Sequence, residues 1–74
     1  MFQATQSSMI AGVEYDPATE TLEVTFTNMR RYRYEHVPAV VCGELLASTS
    51  KGKFMSRRII GTYRASEVHG VGGQ

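Results

Sequence analysis

Only one of the 74 residues is a cysteine, two are histidine and two are proline, and the first 29 positions contain no lysine or arginine. The lone Cys42 cannot form an internal disulfide. Set in the apolar run "AVVCGELLA" it reads as a small buried hydrophobe, which points to a reducing, cytoplasmic setting. The histidines, His36 and His69, are far apart and there is no cysteine pair, so the short paired spacings of a zinc site are missing; no metal or other cofactor is expected. His36 reads as a surface residue at a strand end. No apolar run approaches the ~20 residues of a membrane span, and "MFQATQSSMIAG" lacks the basic and apolar segments of a secretory leader, so no membrane association is expected. Ser50 and Lys51 are neighbours in a glycine-containing stretch that reads as turn chemistry, and "SKGK" lacks the spacing of a phosphate-cradling loop. No nucleophile stands beside a base, and an enzyme is not expected.

What is present is a globular composition, 42% hydrophobic and 20% charged, in a chain long enough for one domain and one modest core. Its charge is unevenly spread. Four acids, Glu14, Asp16, Glu20 and Glu23, lie in the first 29 positions, whereas all eight basic residues lie between Arg30 and Arg64. That second stretch holds two acids, Glu35 and Glu44, and so carries a formal +6. A clustered basic surface would concentrate anionic partners; alternatively, the acidic and basic halves face each other in the fold.

Residues 1–7 are polar and unpatterned and 66–74 are glycine-rich, so both ends are expected to be disordered or flexible around a single domain over 8–65. "SMIAGVEYD" reads as a strand with Ala11, Val13 and Tyr15 on one face. Ile10 has the wrong parity, which a bulge at Gly12 would repair. "DPATET" is a turn in which Asp16 accepts local hydrogen bonds. "LEVTFTN" alternates cleanly, with Leu22, Val24 and Phe26 on one face. "RRYRYEHV" continues the alternation, with Tyr32 and Tyr34 on one side and Arg31 and Arg33 on the other. Keeping like faces together requires an odd connection; the loop Asn28-Met29-Arg30 would set Phe26 opposite Tyr32 and Val24 opposite Tyr34. Pro38 opens a helix with Val41, Leu45 and Ser48 at helical spacing. "STSKGK" reads as a loop with Gly52 available for a positive φ, and a second helix follows with Met55, Ile59 and Tyr63 on one face and Ser56 as its N-cap. The fold class is therefore α+β: a three-stranded antiparallel meander followed by two short helices packed on one face.

The ordered pieces "SSMIAGVEYD", "LEVTF", "RYRYEHVP", "SKGKF" and "IIGTY" resemble the KTSC domain, a small domain found alone or at the C-terminus of some lysyl-tRNA synthetases. The resemblance runs from Ser7 to Tyr63. It is carried by the pair Tyr32 and Tyr34, by Val37 and Pro38, and by Ser50, Gly52 and Phe54. This chain departs from the pattern at Met29, where a turn glycine is usual, at Ser56, where asparagine is, and at Ile60, where an arginine follows the isoleucine. The resemblance implies a small domain of undetermined role with a link to RNA.

Two functional expectations follow. In the first, a basic surface of Arg30, Arg31, Arg33, Lys51, Lys53, Arg57 and Arg58 binds structured, tRNA-like RNA, its phosphates supplying most of the affinity. Arg57 and Arg58, read as lying in the first turn of the second helix, would favour an anion docked there. Tyr32 and Tyr34 would be buried against Val24 and Phe26. In the second, the domain is a protein-interaction or homo-oligomerisation module using an open sheet edge, with no nucleic-acid role.

Overall fold

A computed structural model describes residues 2–4 and 9–68. It has the α+β architecture expected: an antiparallel meander with two helices on one face. The sheet is wider than expected and contains five strands: β1 (Phe2–Ala4), β2 (Ile10–Asp16), β3 (Thr21–Phe26), β4 (Arg31–Tyr34) and β5 (Ala65–Val68). Strand order follows chain order and every neighbouring pair is antiparallel. The expectation of unstructured ends is thus corrected in two places. Phe2–Ala4 pairs with β2 and Ala65–Val68 with β4, so β2 and β4 are interior strands. Residues 1, 5–8 and 69–74 lie outside the described residues.

The bulge falls where the parity of Ile10 requires it. Ile10 pairs with Phe26 but Gly12 with Thr25, so one extra residue is taken up between Ile10 and Gly12. Both Ile10 and Val13 then reach the core, at 0% and 2% exposure. Two turns at one end of the sheet complete the β2–β3 connection and the exit from β4. Asp16 Oδ1 accepts from the Ala18 amide at 3.0 Å. The Val37 amide donates to the Glu20 carbonyl at 2.8 Å.

The β3–β4 connection has three residues as parity demanded, but they are Thr27, Asn28 and Met29. The Phe26 amide donates to the Arg30 carbonyl at 2.8 Å and the Met29 amide to the Phe26 carbonyl at 2.9 Å. The register is shifted accordingly: Leu22 faces Tyr34 and Val24 faces Tyr32. Phe26 and Tyr32 still meet, diagonally and edge to face, with ring centroids 5.9 Å apart.

Helix α1 (Ala39–Ala47) begins directly after Pro38, whose carbonyl accepts from the Val41 and Cys42 amides. Its Val41, Cys42 and Leu45 are buried. The second helical run starts five residues earlier than its expected cap. Helix α2 (Lys51–Phe54) continues without a break into a π-helical turn, Met55–Ile59, closed by the Ile60 amide on the Met55 carbonyl at 2.7 Å. Ser50 is the N-cap residue and makes no side-chain cap bond, while Ser56 is an exposed interior position. Gly52 is helical; its lack of a side chain instead lets Met9 lie against it, since a Cβ there would sit 3.0 Å from the Met9 sulfur. The positive φ falls at Gly61, +84°, just after the helix ends at Ile60.

The core lies between the sheet and this helical layer. Leu22, Val24 and Tyr34 from the sheet meet Val37, Leu45, Met55 and Ile59, each at most 4% exposed. Truncating such a side chain to alanine costs about 2–5 kcal/mol. Both tyrosines of β4 point into this layer, Tyr34 buried and Tyr32 half-buried.

Candidate functional site

Alternation along β4 sends Tyr32 and Tyr34 to the core, so Arg31 and Arg33 must leave from the opposite, uncovered face. There they meet Glu23 of β3, which stands opposite Arg33 in the register. Arg31 donates to Glu23 Oε1 at 2.7 Å and Arg33 to Oε2 at 3.2 Å, so one carboxylate is held between two guanidiniums. Hydrogen bonding from Arg31, then from Arg33, outweighs burial and holds the Glu23 carboxyl below its ordinary range. Glu14 stands beside Glu23 across the β2–β3 register. The open face thus carries the cations Arg31 and Arg33 among the acids Glu14, Asp16 and Glu23. A depression of about 620 Å³ at one end of it has three acids, Glu14, Asp16 and Glu23, and one cation, Arg33, among its lining residues, a charge balance unsuited to a polyanion.

The helical cations lie in the other layer, so the seven basic residues do not converge on one patch. Arg58 is occupied: it donates to Glu44 of α1 at 2.9 Å and its guanidinium lies 5.1 Å from the Phe54 ring centroid. Arg57 is exposed. Both arginines belong to the last turn of the helical run, where cations complement the dipole; the expected anion site at a helix start beside them is therefore absent. Lys51 donates to the Ser48 carbonyl at 2.9 Å, at the C-terminus of α1, which fixes the side chain without cancelling its charge.

Arg30 and Lys53 are exposed and have no carboxylate partner among the described residues. They approach each other through Met9. The Met9 carbonyl accepts from the Thr27 amide at 2.9 Å, and the Met9 side chain lies over Gly52. The β3–β4 turn and the start of α2 therefore share one end of the molecule, the end to which Arg30, Lys51 and Lys53 belong. Asp16, Glu20 and Glu35 lie at the far end of the strands, with His36 and Arg64, whose carbonyl accepts from the Glu35 amide. The turn end thus holds three cations and the far end three acids with one cation, Arg64.

At the tip of the basic end stands Met29, 84% exposed and held at φ +74°. A non-glycine residue in this left-handed region costs about 1–2 kcal/mol. The Asn28 side chain supports the bend by accepting from the Arg30 amide at 2.9 Å. Sequence reasoning had no means to see that Met9 joins the turn to α2. Its one signal was Gly52, whose use here is close approach rather than an unusual dihedral.

Among the described residues no group of three or more metal-ligating side chains occurs, and no helix is long and apolar enough to cross a membrane. Cys42 is buried, and burial pushes its thiol up, away from the reactive thiolate.

The fold and its surface define a small α+β domain, a meander backed by two helices with a basic end. The chain belongs to the KTSC domain family, whose model matches residues 6–63. A protein from Tsukamurella paurometabola is 38% identical over 63 residues, which cover 85% of this chain and 94% of that one. A lysine–tRNA ligase from Nostoc is 32% identical over 63 residues, 85% of this chain but only 11% of the ligase. The crystal structure of a KTSC domain protein from Yersinia pestis matches with a TM-score of 0.90 at 29% identity, covering 93% of this chain and 97% of its own.

Proposed function

We propose that this domain is a non-catalytic binding module that takes structured, tRNA-like RNA against its basic end. The observation carrying the reading is that Arg30, Lys51 and Lys53 share one end of the molecule, the end joined by Met9, while Asp16, Glu20 and Glu35 outnumber Arg64 at the other. A charge gradient of this kind orients an approaching polyanion and lets phosphate contacts supply salt-dependent affinity. The likeness to a segment of a lysine–tRNA ligase, an enzyme whose name gives it a tRNA substrate, supports the same partner class. A buried free thiol suits a reducing compartment, and the cytoplasm is the proposed location.

Self-association through a sheet edge draws less support. The edge strands are β1 and β5, three and four residues long, and short edges make poor templates for a second chain. Retention of the protein on immobilised bulk tRNA at rising salt tests the RNA reading. Retention at low salt that falls steeply as salt is added is expected; none at low salt would discard it. Light scattering showing a stable dimer in such a non-binding protein would favour the interaction module.

A further inference from the structure

Met29 is the residue that the fold least explains. Its side chain is 84% exposed and its backbone is in the left-handed region, at the third position of a three-residue hairpin loop where glycine is relieved of strain. An apolar side chain and an unfavourable dihedral at one position, with no burial to offset either, are liabilities for the isolated domain. Such outliers persist where a surface is used. The residue is flanked by Arg30 in sequence and, through Met9 and Gly52, lies at the same end as Lys51 and Lys53. These cations disfavour a second copy of this chain at the tip, since like charges would meet, and favour an anionic partner.

We infer that the Met29 tip contacts an unpaired, splayed base of a looped or bulged RNA, while Arg30, Lys51 and Lys53 hold the flanking phosphates. This rests on the RNA reading above and narrows it. A continuous duplex offers the tip mainly phosphate and sugar, because A-form RNA has a major groove too deep and narrow to enter and a shallow minor groove. An unstacked base instead presents an aromatic face, against which a flexible, polarisable thioether is favourable.

The test uses the full chain and two RNA probes with equal numbers of phosphates, a stem–loop and a blunt duplex, with the Met29→Gly variant beside the wild type. Glycine relieves the dihedral, so the variant folds at least as well. Expected are a wild-type preference for the stem–loop and a roughly two- to tenfold loss of stem–loop affinity in Met29→Gly, with duplex binding and its salt dependence unchanged. A stem–loop preference that survives in Met29→Gly, or salt-dependent binding of both probes alike by the wild type, overturns the tip contact and leaves the RNA reading standing. Binding of neither probe at low salt overturns both. Met29-dependent binding to anionic phospholipid vesicles without RNA binding assigns the tip to a membrane surface and overturns both as well.

Discussion

The uncovered sheet face and the turn end of the molecule each carry basic residues, yet they are electrostatically unlike. On the face, Arg31 and Arg33 share the Glu23 carboxylate and Glu14 stands alongside. At the turn end, Arg30 and Lys53 have no carboxylate partner among the described residues, and Lys51 is tied only to a neutral carbonyl. A cation whose field is cancelled within bonding distance adds little to the capture of a polyanion; one that faces only solvent adds fully. Position relative to carboxylates, rather than the number of arginines, decides where a phosphate backbone would settle.

The largest effect should come from removing the unpaired pair. In Arg30→Ala with Lys53→Ala, retention on tRNA should fall about tenfold or more at low salt, and the slope of log affinity against log salt should become shallower by about two. An unchanged slope would break the contrast between end and face.

Replacing Glu23 with Gln should move the face toward the behaviour of the end. Two charge-assisted hydrogen bonds weaken, so stability should drop by about 1–2 kcal/mol in urea melts, while tRNA retention rises. The pH dependence has a definite sign. Because the folded-state carboxyl titrates below its ordinary value, its contribution is complete above the usual glutamate range and is lost as pH falls through the lowered value. The stability gap between wild type and Glu23→Gln should therefore close in acid.

Arg58→Ala should cost about 1 kcal/mol in thermal melts, from loss of the Glu44 pair and of the contact with Phe54. Smallest of all should be the charge-neutral double change Glu23→Gln with Arg33→Gln. Removing one anion and one cation together should leave tRNA retention within about twofold. A large loss there would return the interface to the sheet face.

Much of the fold was legible because alternation dictates faces. Leu22, Val24 and Phe26, then Tyr32 and Tyr34, marked the core side of two strands, and the misplaced parity of Ile10 located the bulge. Parity fixes a face but not a register: sliding β4 by two residues keeps every side chain on its own side, so placing the loop at 28–30 rather than 27–29 escaped detection. The strands β1 and β5, "FQA" and "ASEV", are too short to show a periodic signal, and their pairing depends on neighbours distant in sequence. In "STSKGK" Gly52 suggests a loop because glycine tolerates a positive φ; the fold uses it instead for the close approach of Met9. The same misplacement put Arg57 and Arg58 at a helix start when they close a π-helical turn. For the candidate site, the cations were all visible in the sequence. So was the alternative in which the acidic half faces the basic one, which Glu23 realises with Arg33; that Glu23 takes Arg31 as well, while Arg30 and Lys53 keep no carboxylate partner among the described residues, was not, because it depends on the exact register of β3 and β4.

The sheet's simple order has a consequence for how the chain acquires it. Three of the four strand pairings join segments that are close in sequence, and such local closures form quickly. The fourth, between β4 and β5, must bring Arg31–Tyr34 to Ala65–Val68 across both helices, so it should zip up late and fray first. Amide protons along that last ladder should exchange soonest, and the hairpin carrying Met29 should already be in place while the final strand is still searching for its neighbour.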